Sequence, residues 1–197
     1  FTVTYTRQTG SLQILLQNNS SPTYSLPGSA GWTVDSAPGD YSGSTSGNSN
    51  YGPIAAETGS YTVSANPVTG WSRGVAVSIA TSVSPSAASA TGELESGGGI
   101  TFTVSYTRLT GTLTIDLVNG SSPTYGDPSG WGWDITSAPS DYPGSKPTSG
   151  TTDHTDTSAP TGNYTVNGKP VTGWSFSINV SNVVPDVAPA IPSGENG

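Results

Sequence analysis

Phe1–Arg7 reads F-T-V-T-Y-T-R, and Phe102–Arg108 reads F-T-V-S-Y-T-R. The same strand occurs twice in one chain. In the first copy Phe1, Val3 and Tyr5 fall on one face, and Thr2, Thr4 and Thr6 on the other. Strict alternation with β-branched residues outside specifies a strand with one buried side. Each copy leads into a second strand, T-G-S-L-Q-I-L-L from Thr9 and T-G-T-L-T-I-D-L from Thr110. Leu12, Ile14 and Leu16 share its inner face, as do Leu113, Ile115 and Leu117. Asp116 stands where the first copy has Leu15, which assigns that position to the outer face.

Working outward, residues 1–44 match 102–145 at an offset of 101 (Phe1 to Phe102). A variable stretch follows, with long Ser/Gly/Asn loops expected at Ser42–Gly59 and Pro143–Gly162. The match resumes at an offset of 103, with Y-T-V-S-A-N-P-V-T-G-W at Tyr61–Trp71 and Y-T-V-N-G-K-P-V-T-G-W at Tyr164–Trp174. Short strands are expected at Gly31–Asp35 and Gly132–Thr136. Others are expected around Val75, Val77 and Ile79, and around Phe176, Ile178 and Val180. S-A-P-x-D-Y at Ser36–Tyr41 and Ser137–Tyr142 reads as a turn, with Pro fixing φ. A period of about 100 residues is too long for a solenoid repeat and suits an Ig-like sandwich. The expected fold is all-β: two tandem Ig-like antiparallel β-sandwich domains from an internal duplication. Repeat 1 spans 1–84, with strand 100–108 as its alternative closing strand. A linker spans 85–99, repeat 2 spans 100–184, and 185–197 is a tail.

Composition agrees. The 197 residues include 26 Gly, 16 Pro, no Cys and no Met, and only 9% are charged. A net charge of −8 with five Lys and Arg gives no basic footprint for nucleic acid. No apolar run reaches the ~20 residues that span a bilayer. Without Cys, disulfide frameworks and thiolate metal sites are excluded. The first residue is Phe, which suggests a processed mature protein or an excised fragment. Acidic, Lys-poor, Ser/Thr/Gly-rich composition suits a secreted, extracellular or cell-surface protein. N-x-[S/T] sequons at Asn18, Asn19, Asn119, Asn163 and Asn179 are candidate N-glycosylation sites.

The motifs G-[ST]-L-x-I-x-L, G-W-x-[VI], [SN]-Y-T-V…P-V-T-G-W and G-G-G-I-T-F-T-V-S-Y-T together resemble the tandem β-sandwich repeats, PEGA-like in sort, of bacterial and archaeal cell-surface proteins. The resemblance covers most of both copies. It implies a stalk, adhesive or coat role rather than a reaction. It also implies that a V-x-Y-T strand closes one unit just before the G-S-L of the next.

Nothing in the pattern specifies catalysis, a metal or a cofactor. His154 lies in D-H-T-D (Asp153–Asp156), which reads as a solvated loop. No G-x-S-x-G elbow occurs. Asp40 and Asp141 recur as single acids in turns, not as the paired carboxylates of glycoside hydrolysis. Trp32, Trp71, Trp133 and Trp174 occupy matching places in the two copies, as core packing requires. Trp131 aligns with Ala30 and is the candidate exposed aromatic, able to stack on a sugar ring.

The phase of the opening strand decides the function. If Phe102–Arg108 opens the second domain, the chain is two independent beads. If it closes the first, Phe1–Arg7 has no domain of its own to close, and the second domain lacks a closing strand. One copy's Phe1, Thr2, Val3, Thr4, Tyr5, Thr6 and Arg7 then complement the next copy by strand addition. A head-to-tail contact of that kind builds an open filament. The expectation is a pilus-like structural subunit whose partners are copies of itself. The alternatives are a two-repeat segment of a surface stalk or adhesin, and a carbohydrate-binding module facing surface glycans.

Overall fold

The computed structural model describes residues 1–21, 24–79, 82–83 and 88–180. These are all-β, and the chain divides into two units, Phe1–Arg108 and Leu109–Gly197. Among its described residues unit 1 holds nine strands: β1 (Thr9–Asn18), β2 (Trp32–Ser36), β3 (Ser46–Gly47), β4 (Tyr51–Glu57), β5 (Gly59–Ala65), β6 (Trp71–Ile79), β7 (Ser82–Val83), β8 (Ser89–Leu94) and β9 (Gly99–Arg108). They form two sheets, ordered β4-β1-β9-β6-β7 and β3-β2-β5-β8. Leu12, Ile14, Val75, Val77, Phe102 and Val104 from the first sheet meet Trp32, Val34, Tyr61, Val63 and Leu94 from the second in one buried cluster. This is a β-sandwich, with alternating side chains of both sheets filling the space between them.

The expected linker, 85–99, instead holds β8, which pairs antiparallel with β5 from Gly59↔Leu94 to Ser64↔Ser89. Its small residues cover the outer edge of a sheet, where bulk is not needed. Gly92 shows the fit: a Cβ there would press on Ile100 and Val77. A turn at Glu95–Gly98 then returns the chain to the first sheet. Gly97 N donates to Thr9 O and Ser11 N donates to Gly98 O, both at 2.9 Å. β9 therefore starts beside the start of β1 and runs parallel to it, from Ser11↔Gly99 to Asn18↔Tyr106. This is a parallel pair in an otherwise antiparallel sandwich, made possible because a strand of the other sheet is crossed first. On its other side β9 pairs antiparallel with β6, from Trp71↔Arg108 to Ile79↔Ile100.

The long Ser/Gly/Asn loops are also corrected. They carry β3 and β4, and in unit 2 β12 (Ser149–Gly150) and β13 (His154–Pro160). β4 escapes the alternation rule because it is an edge strand with a bulge opposite Leu12–Ile14. Gly52 takes φ 78° there, where a side chain would collide with the carbonyl of Leu12.

Unit 2 repeats part of this plan with β10 (Thr110–Ile115), β11 (Trp133–Ser137), β12, β13 and β14 (Thr165–Gly168). β10 pairs with β13, and β11 lies between β12 and β14. The registers are those of unit 1: Ile115↔His154 repeats Ile14↔Tyr51, and Trp133↔Gly168 repeats Trp32↔Ala65. Phe176, Ile178 and Val180, expected to alternate along a strand, lie in no ladder among the described residues. Their unit 1 counterparts are held in β6 by β9. Among the described residues nothing takes the place of β9 in unit 2. Residues 185–197, expected as a tail, lie outside the described residues.

Candidate subunit interface

β9 is the centre of its sheet. Ile100, Phe102, Val104 and Tyr106 face inward and are at most 1% exposed, and Arg108 is 8% exposed. Each of the four apolar or aromatic side chains is worth about 2 kcal/mol of burial before ordering costs. Arg108 closes the inward row at the sandwich rim: its Nη1 donates to Gly70 O at 2.7 Å, and its guanidinium lies 5.9 Å from the centre of the Trp71 ring.

Phe1–Arg7 carries the same face in the opposite condition. Phe1, Val3 and Tyr5 are 130%, 74% and 92% exposed, and the segment forms no strand among the described residues. It is nonetheless tethered. Arg7 Nε and Nη2 grip Asp40 at 2.6 and 3.0 Å, and Arg7 also donates to Thr58 Oγ1 and Thr58 O at 3.1 and 2.9 Å. The hydrogen bond from Arg7 lowers the Asp40 pKa below its ordinary value. The opening segment thus leaves unit 1 from a fixed root, with three apolar side chains in solvent.

Unit 2 offers a matching surface. Leu113, Ile115 and Leu117 repeat Leu12, Ile14 and Leu16, and β13 is the only strand paired with β10 among the described residues. The turn before Trp174 is that before Trp71: Trp174 N donates to Val171 O at 3.1 Å, and Trp71 N to Val68 O at 3.2 Å. Phe176 packs over Gly168 where Arg73 reaches Ala65, so the segment follows the course of β6. Ile178 and Val180 are 45% and 83% exposed; their counterparts Val75 and Val77 are 0% and 3% exposed. Among the described residues an apolar row and an unpaired strand edge therefore lie exposed in unit 2.

The remaining sequence candidates separate. Trp131 is half-buried rather than exposed. Asn18 and Asn119 use their side-chain amides to bond Tyr24 O and Tyr125 O, while Asn19, Asn163 and Asn179 are exposed. The D-H-T-D stretch is not a solvated loop. Asp153 accepts from Leu117 N at 2.8 Å, and His154 stacks on Trp133 at 5.2 Å, where Tyr51 stacks on Trp32. Asp156 holds Lys146 Nζ at 2.7 Å through both oxygens. Burial raises the Asp156 pKa, but the bonds from Lys146 and Ser158 outweigh it and the net shift is downward. No group of three or more His, Asp or Glu among the described residues is placed to hold a metal ion. Among those residues no helix is long and apolar enough to cross a membrane.

No protein-family model matches the chain, and no curated protein matches it. Among solved structures it is similar to the crystal structure of the major pilin from Streptococcus pyogenes, at 12% identity and a TM-score of 0.31. The similarity covers 51% of this chain and 48% of that one. A score of that size carries no argument about function.

Proposed function

We propose that this protein is the structural subunit of an extracellular, pilus-like filament, in which Phe1–Arg7 of one copy completes unit 2 of another. The observation that carries this reading is internal. Phe102–Arg108 occupies the centre of its sheet in unit 1, its near-copy Phe1–Arg7 lies in no ladder, and the described residues of unit 2 contain no such strand. The joint between copies then repeats the joint within the chain.

The register follows from unit 1. Phe1 lies opposite Ile115, Val3 opposite Leu117 and Tyr5 opposite Asn119, parallel to β10. On the other side Phe1, Val3, Tyr5 and Arg7 face Val180, Ile178, Phe176 and Trp174, antiparallel. Backbone bonds on both edges supply affinity, and the alternating side chains fix the register, since a one-residue slip turns three Thr inward. The contact is heterologous, so it propagates. The role is one of assembly rather than catalysis, and the resemblance to PEGA-like surface repeats is in keeping with it.

A second reading shares the same geometry: the chain is part of a longer repeat array, and the strand of the following repeat fills unit 2. β9 is the observation that favours it, since it fills unit 1 in this way within one polypeptide. Negative-stain electron microscopy of the chain, beside a variant lacking Phe1–Arg7, separates the two. Fibres from the first and none from the second are expected. Single compact particles from both would overturn self-assembly and leave the array.

A further inference from the structure

The tyrosine of the closing strand does more than fill space. In unit 1 the Tyr106 hydroxyl crosses from β9 to the opposite sheet. It donates to Gly31 O at 2.7 Å or to Asn66 O at 2.8 Å, and it accepts from Gly31 N at 3.1 Å. The ring is fully buried. Gly31 immediately precedes β2, and Asn66 immediately follows β5. One hydroxyl therefore bolts the centre of one sheet to the paired strand ends of the other.

The socket is a piece of backbone geometry, and it can be recognised without its occupant. Asn66 N donates to Gly31 O at 2.9 Å, which holds the two strand ends together. Glycine is required at 31 because a Cβ would collide with the carbonyl of Gly47. Unit 2 contains the same frame. Lys169 N donates to Gly132 O at 2.9 Å, and a Cβ on Gly132 would collide with the carbonyl of Gly150. Gly132 is buried, as Gly31 is. Even the side chains above the frame correspond: Thr33 Oγ1 bonds Asn66 Oδ1 at 2.9 Å, and Lys169 Nζ lies 3.7 Å from Asp134 Oδ1. Among the described residues no side chain bonds Gly132 N, Gly132 O or Lys169 O.

We infer that unit 2 carries a preformed socket, made of Gly132 N, Gly132 O and Lys169 O, that receives the hydroxyl of Tyr5 from a second copy of this chain. The inference rests on the proposed strand donation and adds to it a specificity determinant. Phe1 and Val3 contribute apolar burial, which many sequences supply. Tyr5 contributes a hydroxyl that must land within hydrogen-bond range of three fixed backbone atoms. A strand shifted by two residues keeps its apolar face inward but offers no hydroxyl there. The socket thus rejects the one slip that alternation tolerates.

The test compares the full chain with Tyr5→Phe and Tyr142→Phe, reading the subunit concentration at which sedimentable fibres appear. Tyr5 is exposed in the unassembled chain, so its substitution leaves folding intact, and an unchanged melting profile checks this. Phenylalanine fills the site but leaves the socket atoms unpaired when the strand closes over them. Tyr5→Phe should raise the critical concentration about tenfold or more. Tyr142→Phe, which removes a hydroxyl that bonds Pro147 O at 3.4 Å within its own loop, should leave it unchanged. Assembly of Tyr5→Phe at the wild-type concentration would overturn the socket while leaving strand donation standing. Absence of sedimentable fibres from the unsubstituted chain would instead overturn strand donation itself, and the socket with it.

Discussion

Val75 is sealed in unit 1, and its counterpart Ile178 is 45% exposed in unit 2. The two units share their turns, their Trp-bearing strands and their registers, so intrinsic propensity cannot explain the contrast. Among the described residues β7, β8 and β9 have no equivalent in unit 2, and of these β9 is the one paired along the whole of β6. Unit 1 has β9 between β1 and β6, and β6 forms a nine-residue strand against it. Trp174–Val180 has the same alternation and forms no ladder among the described residues. A strand in the middle of a sheet is a template as well as a member. Without it, the segment on its far side has no backbone partner among the described residues, and the β8 that faces β6 from the other sheet has no equivalent there either.

The largest effect is expected from spoiling the closing strand in each place. Val104→Asp puts an unpaired carboxylate where exposure is 0%. It should cost more than about 4 kcal/mol and open unit 1. Val3→Asp makes the same change at a residue that is exposed in the free chain, so the melting profile of unit 1 should not move while fibres disappear. Thermal unfolding followed by circular dichroism, with sedimentation, reads both. Equal destabilisation by the two substitutions would show that Phe1–Arg7 already packs within its own chain.

A smaller effect distinguishes the units by a contact that only one of them has. Lys146 reaches Asp156 in unit 2, with side-chain exposures of 18% and 8%, whereas unit 1 has Thr45 and Pro53 at those places. Lys146→Met leaves Asp156 without its cation and should destabilise unit 2 by about 2 kcal/mol. Hydrogen exchange should accelerate along β13 and not along β4. Acceleration in both would mean that the two units unfold as one.

The smallest effect concerns the root of the opening strand. The Asp40 carboxyl has its pKa lowered by the hydrogen bond from Arg7. A lowered folded pKa contributes stability above the unfolded value of about 3.9 and loses it as the pH falls through the folded value. The Arg7 clamp should therefore be insensitive to pH from about 5 to 8 and release below about 4. Carboxyl and guanidinium nuclear magnetic resonance signals followed through this range would show it, and Asp40→Asn should abolish the transition. Because the pair is exposed, the melting temperature should change little.

Much of the fold was legible in the residues. The inward rows Leu12–Ile14 and Phe102–Val104–Tyr106 came from period two alone. The turns at Pro38 and Pro139 came from their chemistry: Tyr41 N bonds Pro38 O at 2.9 Å and Tyr142 N bonds Pro139 O at 2.8 Å. The edge strands β4, β8 and β13 were not legible. Edges are partly solvated, tolerate Gly, Pro and Ser, and so carry no alternation to read. His154 read as solvent-facing because nothing local shows that position 154 repeats Tyr51 against a tryptophan. The Tyr106 socket was invisible for a related reason. It is made of backbone atoms at Gly31 and Asn66, which no side-chain motif announces.

Residue order alone carries the two similar β units and the apolar face of each strand, because duplication and periodicity are properties of that order. It also exposed the question of phase. That Phe102–Arg108 belongs to the unit before it is set by the fold. Pairing with β1 and β6 is a contact across long stretches of chain, and its stabilisation comes from burial on both sides of the strand. A near-identical stretch at Phe1–Arg7, lacking those neighbours, is left in solvent.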